Sequence, residues 1–188
     1  MGMGIGIAIA VILTGLVGFI VIGFNSLRTL DVKAKEALGG IDVQLTRRAD
    51  LVPNLVDTVR GYATHEKSVF EEVTAARAGA ARAAQGGGVD DKAQAEARLN
   101  RAIGNVLAVA ENYPDLKASV NFLQLQEQLA DTENQLAFAR QYYNDAAATL
   151  NQRVVTIPWM LLTGLAGVAE RPFHQAAQGH QAPPRVQF

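Results

Sequence analysis

The sequence predicts an all-α protein, with an N-terminal transmembrane helix followed by a long up-and-down four-helix bundle. Three observations predict it. The first 26 residues carry no charged side chain, apolar residues along the rest recur at steps of three and four, and no strand-length stretch alternates with period two.

Residues 5–24 (IGIAIAVILTGLVGFIVIGF) form an uncharged run of about 20 residues, the length that crosses a hydrocarbon core of roughly 30 Å. A cleaved signal peptide competes with this reading, but it requires a basic n-region, an apolar stretch of about 7 to 15 residues and a small-x-small site after it. None is present: Asn25-Ser26-Leu27-Arg28 follows the run, and the Ala8-x-Ala10 pair lies at its wrong end. Gly15, Gly18 and Gly23 allow close helix approach without forming a strict G-x-x-x-G. No Lys or Arg precedes the run, whereas Arg28, Lys33 and Lys35 follow it, so the positive-inside rule puts the N-terminus outside and the rest of the chain in the cytoplasm.

From Leu27 the apolar residues are Leu30, Ala34, Leu38, Ile41, Leu45 and Val52, a single buried stripe in which Arg48 takes an apolar position. The membrane helix is expected to continue to about Ala49, with a bend permitted at Gly39-Gly40. Pro53 suggests a boundary, with Asp50 as N-cap and residues 50–53 as a corner, because proline disfavours helix in the residue before it and fits a first turn. The second helix would then use Leu55, Val59, Tyr62, Val69, Val73, Ala76, Ala80 and Ala83, widened by Val56, Ala63 and Phe70, and fray toward Gly86-Gly87-Gly88. Asp90 or Asp91 would cap a third helix with Leu99, Ile103, Val106, Ala110 and Tyr113, closed by Pro114. In the fourth, Phe122, Leu125, Leu129, Thr132, Leu136, Ala139, Tyr143, Ala146 and Leu150 keep coiled-coil spacing over about 35 residues, or roughly 50 Å.

An even number of antiparallel helices returns the chain toward the membrane, where residues 157–168 are apolar but too short to span. They could cap the bundle core, lie in the bilayer surface with Trp159, Leu161 and Leu162 at the interface, or contact another subunit. The expected domains are an anchor at 1–26, a helical bundle at 27–156, this apolar segment at 157–170 and a polar irregular tail at 171–188.

Chemistry is sparse. With no cysteine there is no disulfide, thiolate nucleophile, Cys-ligated metal or lipidated cysteine. Seventeen Lys and Arg against 18 Asp and Glu leave no basic excess for nucleic acid. Of His65, His174 and His180, the first belongs to no H-E-x-x-H because Val69 stands at the second position, and Tyr62, Arg171 and Ala177 occupy the sites a Glu-x-x-His motif requires. Gly86 to Gly88 lack the Gly-Lys-Ser/Thr ending of a phosphate loop, and Ser26, Ser68 and Ser119 lie outside any G-x-S-x-G. No cofactor, metal or catalytic residue is expected; an enzyme assembled around Glu66 and Glu111 is the least favoured alternative. Six polar residues stand out around the expected corner, Asp42, Gln44, Arg47, Arg48, Asp50 and Asn54. An inward Arg48 needs partners, so these form either a buried network tying the corner to a neighbouring helix or a docking surface. Glu66 could pair with a cation across the bundle, and Glu111 to Lys117 reads as the turn between the third and fourth helices.

The same stretches resemble the LemA family of bacterial membrane proteins. The matching residues are Ile41-Asp42-Val43-Gln44-Leu45, Arg47-Arg48, Asp50-Leu51-Val52-Pro53-Asn54-Leu55-Val56, Gly61-Tyr62-Ala63, His65-Glu66, Ala75-Ala76-Arg77-Ala78, Ala110-Glu111-Asn112-Tyr113-Pro114-Asp115-Leu116-Lys117-Ala118, Asn121-Phe122, Leu125-Gln126, Ala139-Arg140 and Tyr143-Asn144. Leu38-Gly39-Gly40 and Leu150-Asn151 depart from the family pattern, and the match after Pro158 is looser. The resemblance implies one membrane helix, a cytoplasmic helical bundle and envelope or membrane-organising roles, including a magnetosome-associated branch, often beside a membrane metalloprotease. It supplies no catalytic residues. The expected function is a non-enzymatic, single-pass, self-associating scaffold of the bacterial inner membrane. The alternative is an adaptor that docks onto a membrane enzyme such as a protease through the Arg47 to Asn54 stretch. The expected partners are the lipid bilayer, further copies of the chain and an envelope protein, with no nucleic acid.

Overall fold

The computed structural model describes residues 2–175, and among these every regular element is helical. In order they are α1 (Gly2–Arg60), α2 (Lys67–Gly86), α3 (Val89–Ala110), the single turn α4 (Pro114–Lys117), α5 (Val120–Val155), a 3-10 turn (Trp159–Leu162) and α6 (Thr163–Ala166), arranged up and down. The chain forms two compact units. One comprises residues 2–37 with 144–173, the other residues 38–143 with 174–175. The polar tail expected from residue 171 is irregular as far as 175; residues 176–188, with His180, lie outside the described residues.

Helix α1 is 59 residues long and contains Pro53, so the corner expected at residues 50–53 is absent. Its buried seam explains why. Ile41, Leu45, Arg48, Val52, Leu55 and Val59 are buried at steps of three and four straight through the proline, and a helix ending there would have left half of that seam without a core to enter. The proline's local penalty is a missing N–H, which leaves the carbonyl of Ala49 without its helical donor. Arg77 of α2 fills the place: its Nε donates to Ala49 O at 3.2 Å, and its Nη2 lies 3.9 Å from Asp50 Oδ1.

The turn comes later, at residues 61–66. The Ala63 N–H bonds to Val59 O at 2.9 Å, Ala63 is buried, and Tyr62, placed on the buried stripe by its spacing, is instead exposed. Glu66, expected to reach across the bundle, stands at the N-cap of α2, where its carbonyl accepts from Phe70 N–H at 3.3 Å. Between α2 and α3, Gly87 passes so close to α2 that an added Cβ would lie 2.9 Å from Ala83 O. Gly88 caps α3, and Asp91 at the third position reaches back to accept from the Gly88 N–H at 2.9 Å, half of a capping box. The Glu111 to Lys117 connection is a turn followed by α4, pinned by the buried Leu116.

In the larger unit all four long helices supply one core: Leu45, Val52 and Leu55 from α1, Phe70 and Val73 from α2, Leu99 and Ile103 from α3, and Phe122 and Leu129 from α5. Each such side chain contributes about 1.5–3 kcal/mol when fully buried, so this shared core holds the four helices together. The smaller unit has its own core, in which Leu27 and Ala34 of α1 meet Leu150 of α5 and the buried Leu162, Ala166 and Val168.

Candidate functional site

Within the larger unit, charged side chains occupy positions that the helical spacing aims inward. On α3, Lys92 and Glu96 continue the Leu99, Ile103, Val106 series backward by steps of three and four, and both are buried. On α5, Arg140 lies one turn beyond Leu136, and its Nε donates to the Leu136 carbonyl at 3.3 Å. The guanidinium then forks: Nη1 donates to Glu96 Oε1 at 2.7 Å and Nη2 to Glu133 Oε1 at 3.0 Å. The other oxygen of Glu133 pairs with Arg48, and Asn100 Nδ2 lies 3.5 Å from it. His174 adjoins this array, its Nε2 3.5 Å from Glu96 Oε2. Two guanidinium groups thus face two carboxylates around a shared Glu133, which balances charge in a place where an unpaired ion would be costly.

Burial strains these ionisations. It pushes the Glu96 carboxyl upward, helped by the neighbouring Glu133 and opposed by Arg140 and Arg48. It pulls Arg48 down, against the opposing pull of Glu133 and Glu96. For His174, burial and then the Arg140 charge lower its pKa, so the imidazole is neutral near neutral pH. Among the described residues no group of three or more His, Cys, Asp or Glu is placed to hold a metal ion.

The six polar residues predicted as a site lie along one continuous helix and divide among separate partners. Arg48 enters the network through Glu133, while Arg47 on the exposed side donates to Gln135 Oε1 at 3.0 Å. Asp42 pairs with Lys92 Nζ at 2.5 Å, and the same ammonium donates to Ala83 O at 3.0 Å, securing the end of α2 expected to fray. Gln44 is half-buried, Asp50 faces Arg77, and Asn54 is exposed, its carbonyl accepting from Thr58 Oγ1 at 2.7 Å. Sequence reasoning missed Lys92, Glu96, Glu133 and Arg140. Lys92 and Glu96 were legible as charges on the seam register of α3, and Glu133 and Arg140 fall at steps of four and three between Leu129, Leu136 and Tyr143 of α5.

In the smaller unit Asp31 receives Arg171, whose Nε and Nη2 both donate to Asp31 Oδ1 at 3.1 and 2.7 Å, while Lys35 pairs with Oδ2 at 2.9 Å. Burial alone would raise the Asp31 pKa, but the hydrogen bonds and charges of Lys35 and Arg171 hold it below the ordinary 3.8. Asn151 of α5 clasps the Arg171 backbone in both directions at 2.8 Å. The three residues predicted for a membrane interface have different surroundings: Trp159 stacks on Phe19 at 5.7 Å, Leu162 is buried, and Leu161 is 73% exposed.

The N-terminal part of α1 is long and apolar enough to cross a membrane, with a mean hydropathy of 2.9 over its most apolar window, none of it buried. The LemA family model matches residues 37–188. Magnetosome protein MamQ of Magnetospirillum gryphiswaldense is 24% identical over 207 residues, covering 95% of this chain and 76% of its own. Magnetosome proteins MamQ 1 and MamQ 2 of Paramagnetospirillum magneticum are each 23% identical over 183 residues, covering 85% of this chain and 67% of theirs. These relatives and the apolar helix together fit a membrane-associated protein. Because the family match runs over most of its length, the chain belongs to the LemA family.

Proposed function

We propose that this protein is a non-enzymatic single-pass scaffold of the bacterial inner membrane that self-associates through its helical bundle, with the residues after Phe24 on the cytoplasmic side. The observation that carries this reading is the continuity of α1: one helix includes both the apolar run and the first strip of the bundle core, with no linker between them. Orientation is supported by Arg28, Lys33 and Lys35 just beyond the run. Self-association is supported by Phe138 and Tyr142, exposed one helical turn apart on α5 at 76% and 64%. Light scattering of the full chain in mild detergent should give a mass of several protomers, and Phe138→Ser with Tyr142→Ser should lower it. A wild-type chain that is monomeric at all concentrations overturns the proposal.

The adaptor reading draws on Val43, which is 63% exposed beside Arg47 and Asp50. A photoreactive residue at Val43 that traps a different protein in the native membrane favours it, whereas trapping of the chain itself favours the scaffold.

A further inference from the structure

From residue 154, in the last turn of α5, to residue 169 the chain carries no charge, sixteen residues in all, and after α5 it makes only two short helical turns. It has two faces. On the inner face Leu162, Ala166 and Val168 complete the smaller unit's core, and Leu162 fits over Gly23, where an added Cβ would collide with its Cδ1 and lie 3.0 Å from the Trp159 ring. On the outer face Ile157, Leu161 and Leu165 are 77%, 73% and 66% exposed, and Met160 beside them is 45% exposed.

The inner face fixes the level of the segment. Trp159 stacks on Phe19 with ring centroids 5.7 Å apart and planes 20° apart, and Ile20 and Phe24 pack against the same core. Phe19 lies five residues before the end of the apolar run at Phe24, or about 8 Å along the axis at 1.5 Å per residue. If the run spans, whatever stacks on Phe19 is level with hydrocarbon, and the outer face of the segment is continuous with the lipid-facing surface of α1. Arg153, the last charged residue before this segment, places its guanidinium 4.8 Å over the Trp159 ring in a cation–π contact.

We propose that residues 157–165 are a monotopic wedge seated in the leaflet from which α1 emerges, with Ile157, Leu161 and Leu165 among acyl chains. This rests on the membrane-spanning reading of α1. The segment is too short to cross and already packed on one side, so it enters the leaflet without spanning it. The lipid surface is thus a second binding partner of the C-terminal region, independent of the anchor's own hydrophobicity.

The chain contains no cysteine and a single tryptophan, Trp159, which makes the test direct. Full-length Val17→Cys, Val120→Cys, Leu161→Cys and Leu165→Cys variants, all at exposed positions, are nitroxide-labelled and reconstituted in phosphatidylcholine vesicles containing phosphatidylglycerol. Relative collision rates with oxygen and with a water-soluble nickel chelate report depth. The wedge predicts an oxygen preference at 161 and 165 severalfold above that at 120 and approaching that at 17. If 161 and 165 behave like 120 while 17 favours oxygen, the wedge is wrong and the span stands; if 17 also favours the nickel chelate, both fall. Shielding of 161 from both reagents means a protein contact and overturns the wedge. In the unlabelled wild-type chain, bilayer-brominated lipids should quench Trp159 more strongly than aqueous iodide, and the reverse order also overturns it.

Discussion

Arg140 holds two carboxylates with one fork, so its removal does more than delete a contact. Glu96 is 6% exposed in its side chain, and without Arg140 its charge has no partner of comparable strength. Arg140→Met should destabilise the full chain by about 3–5 kcal/mol, the usual loss when one partner of a buried pair is removed. Adding Glu96→Gln should recover a large part of that loss, because it neutralises the stranded ion. Chemical unfolding of the single and double variants checks this; a double variant less stable than Arg140→Met alone contradicts the pairing. Asp31 offers a matching test in pH. Its folded pKa lies below 3.8, so its contribution is complete above that value and is lost as pH falls through the lower folded value. The melting-temperature difference between wild type and Asp31→Asn should therefore stay constant from about pH 7 to about pH 5 and shrink only in stronger acid. A difference that closes between about pH 7 and pH 6 assigns the linkage to another group.

Pro53 shows what one helix owes to its neighbour. Read alone, a proline before Asn54 signals a new helix, and the corner follows. The competing signal was already present in the sequence: Arg48, Val52, Leu55 and Val59 keep the seam spacing across the proline, and a long apolar register outweighs one missing hydrogen bond. What the sequence did not display is the donor that replaces it, because Arg77 lies 24 positions away and on another helix. Arg77→Met should lose about 1–3 kcal/mol in the presence of Pro53, the penalty for a buried unpaired carbonyl. In a Pro53→Ala background the new backbone N–H can serve Ala49, so the same change should lose less. Equal losses in both backgrounds would show that Arg77 acts through Asp50 instead. The α5 seam, by contrast, was legible except at two alanines: Ala139 and Ala146 are half-buried, and Ala147 is buried instead. Phe122, Leu125, Leu129, Thr132, Leu136, Tyr143 and Leu150 are buried as their spacing requires, and α5 runs for 36 residues. On α3 the apolar series was read from Leu99 onward, so the charged Lys92 and Glu96 on the same register were passed over. Apolar pattern alone hides a buried ion, since a polar residue on a seam is visible only when the register is extended through it.

At the scale of the whole molecule, the helical class, the long apolar N-terminal helix and the family were legible, because each rests on patterns many residues long. The division into two units was not, because it depends on contacts between segments far apart in the chain: Asp31 and Arg171 meet across 140 positions. That contact has a consequence for how the protein is made. The smaller unit is built from residues 2–37 and 144–173, and most of the larger unit is encoded between those halves. During synthesis the first half is translated before any of its partners, and residues 38–143 are complete before its second half leaves the ribosome. Vectorial folding therefore favours bundle before clasp, with the closure of Arg171 on Asp31 among the last steps and the loop it closes already shortened by the folded bundle. A chain arrested after α5 would carry the bundle helices and lack the clasp, which makes the Asp31–Arg171 bond a marker that synthesis has passed Arg171.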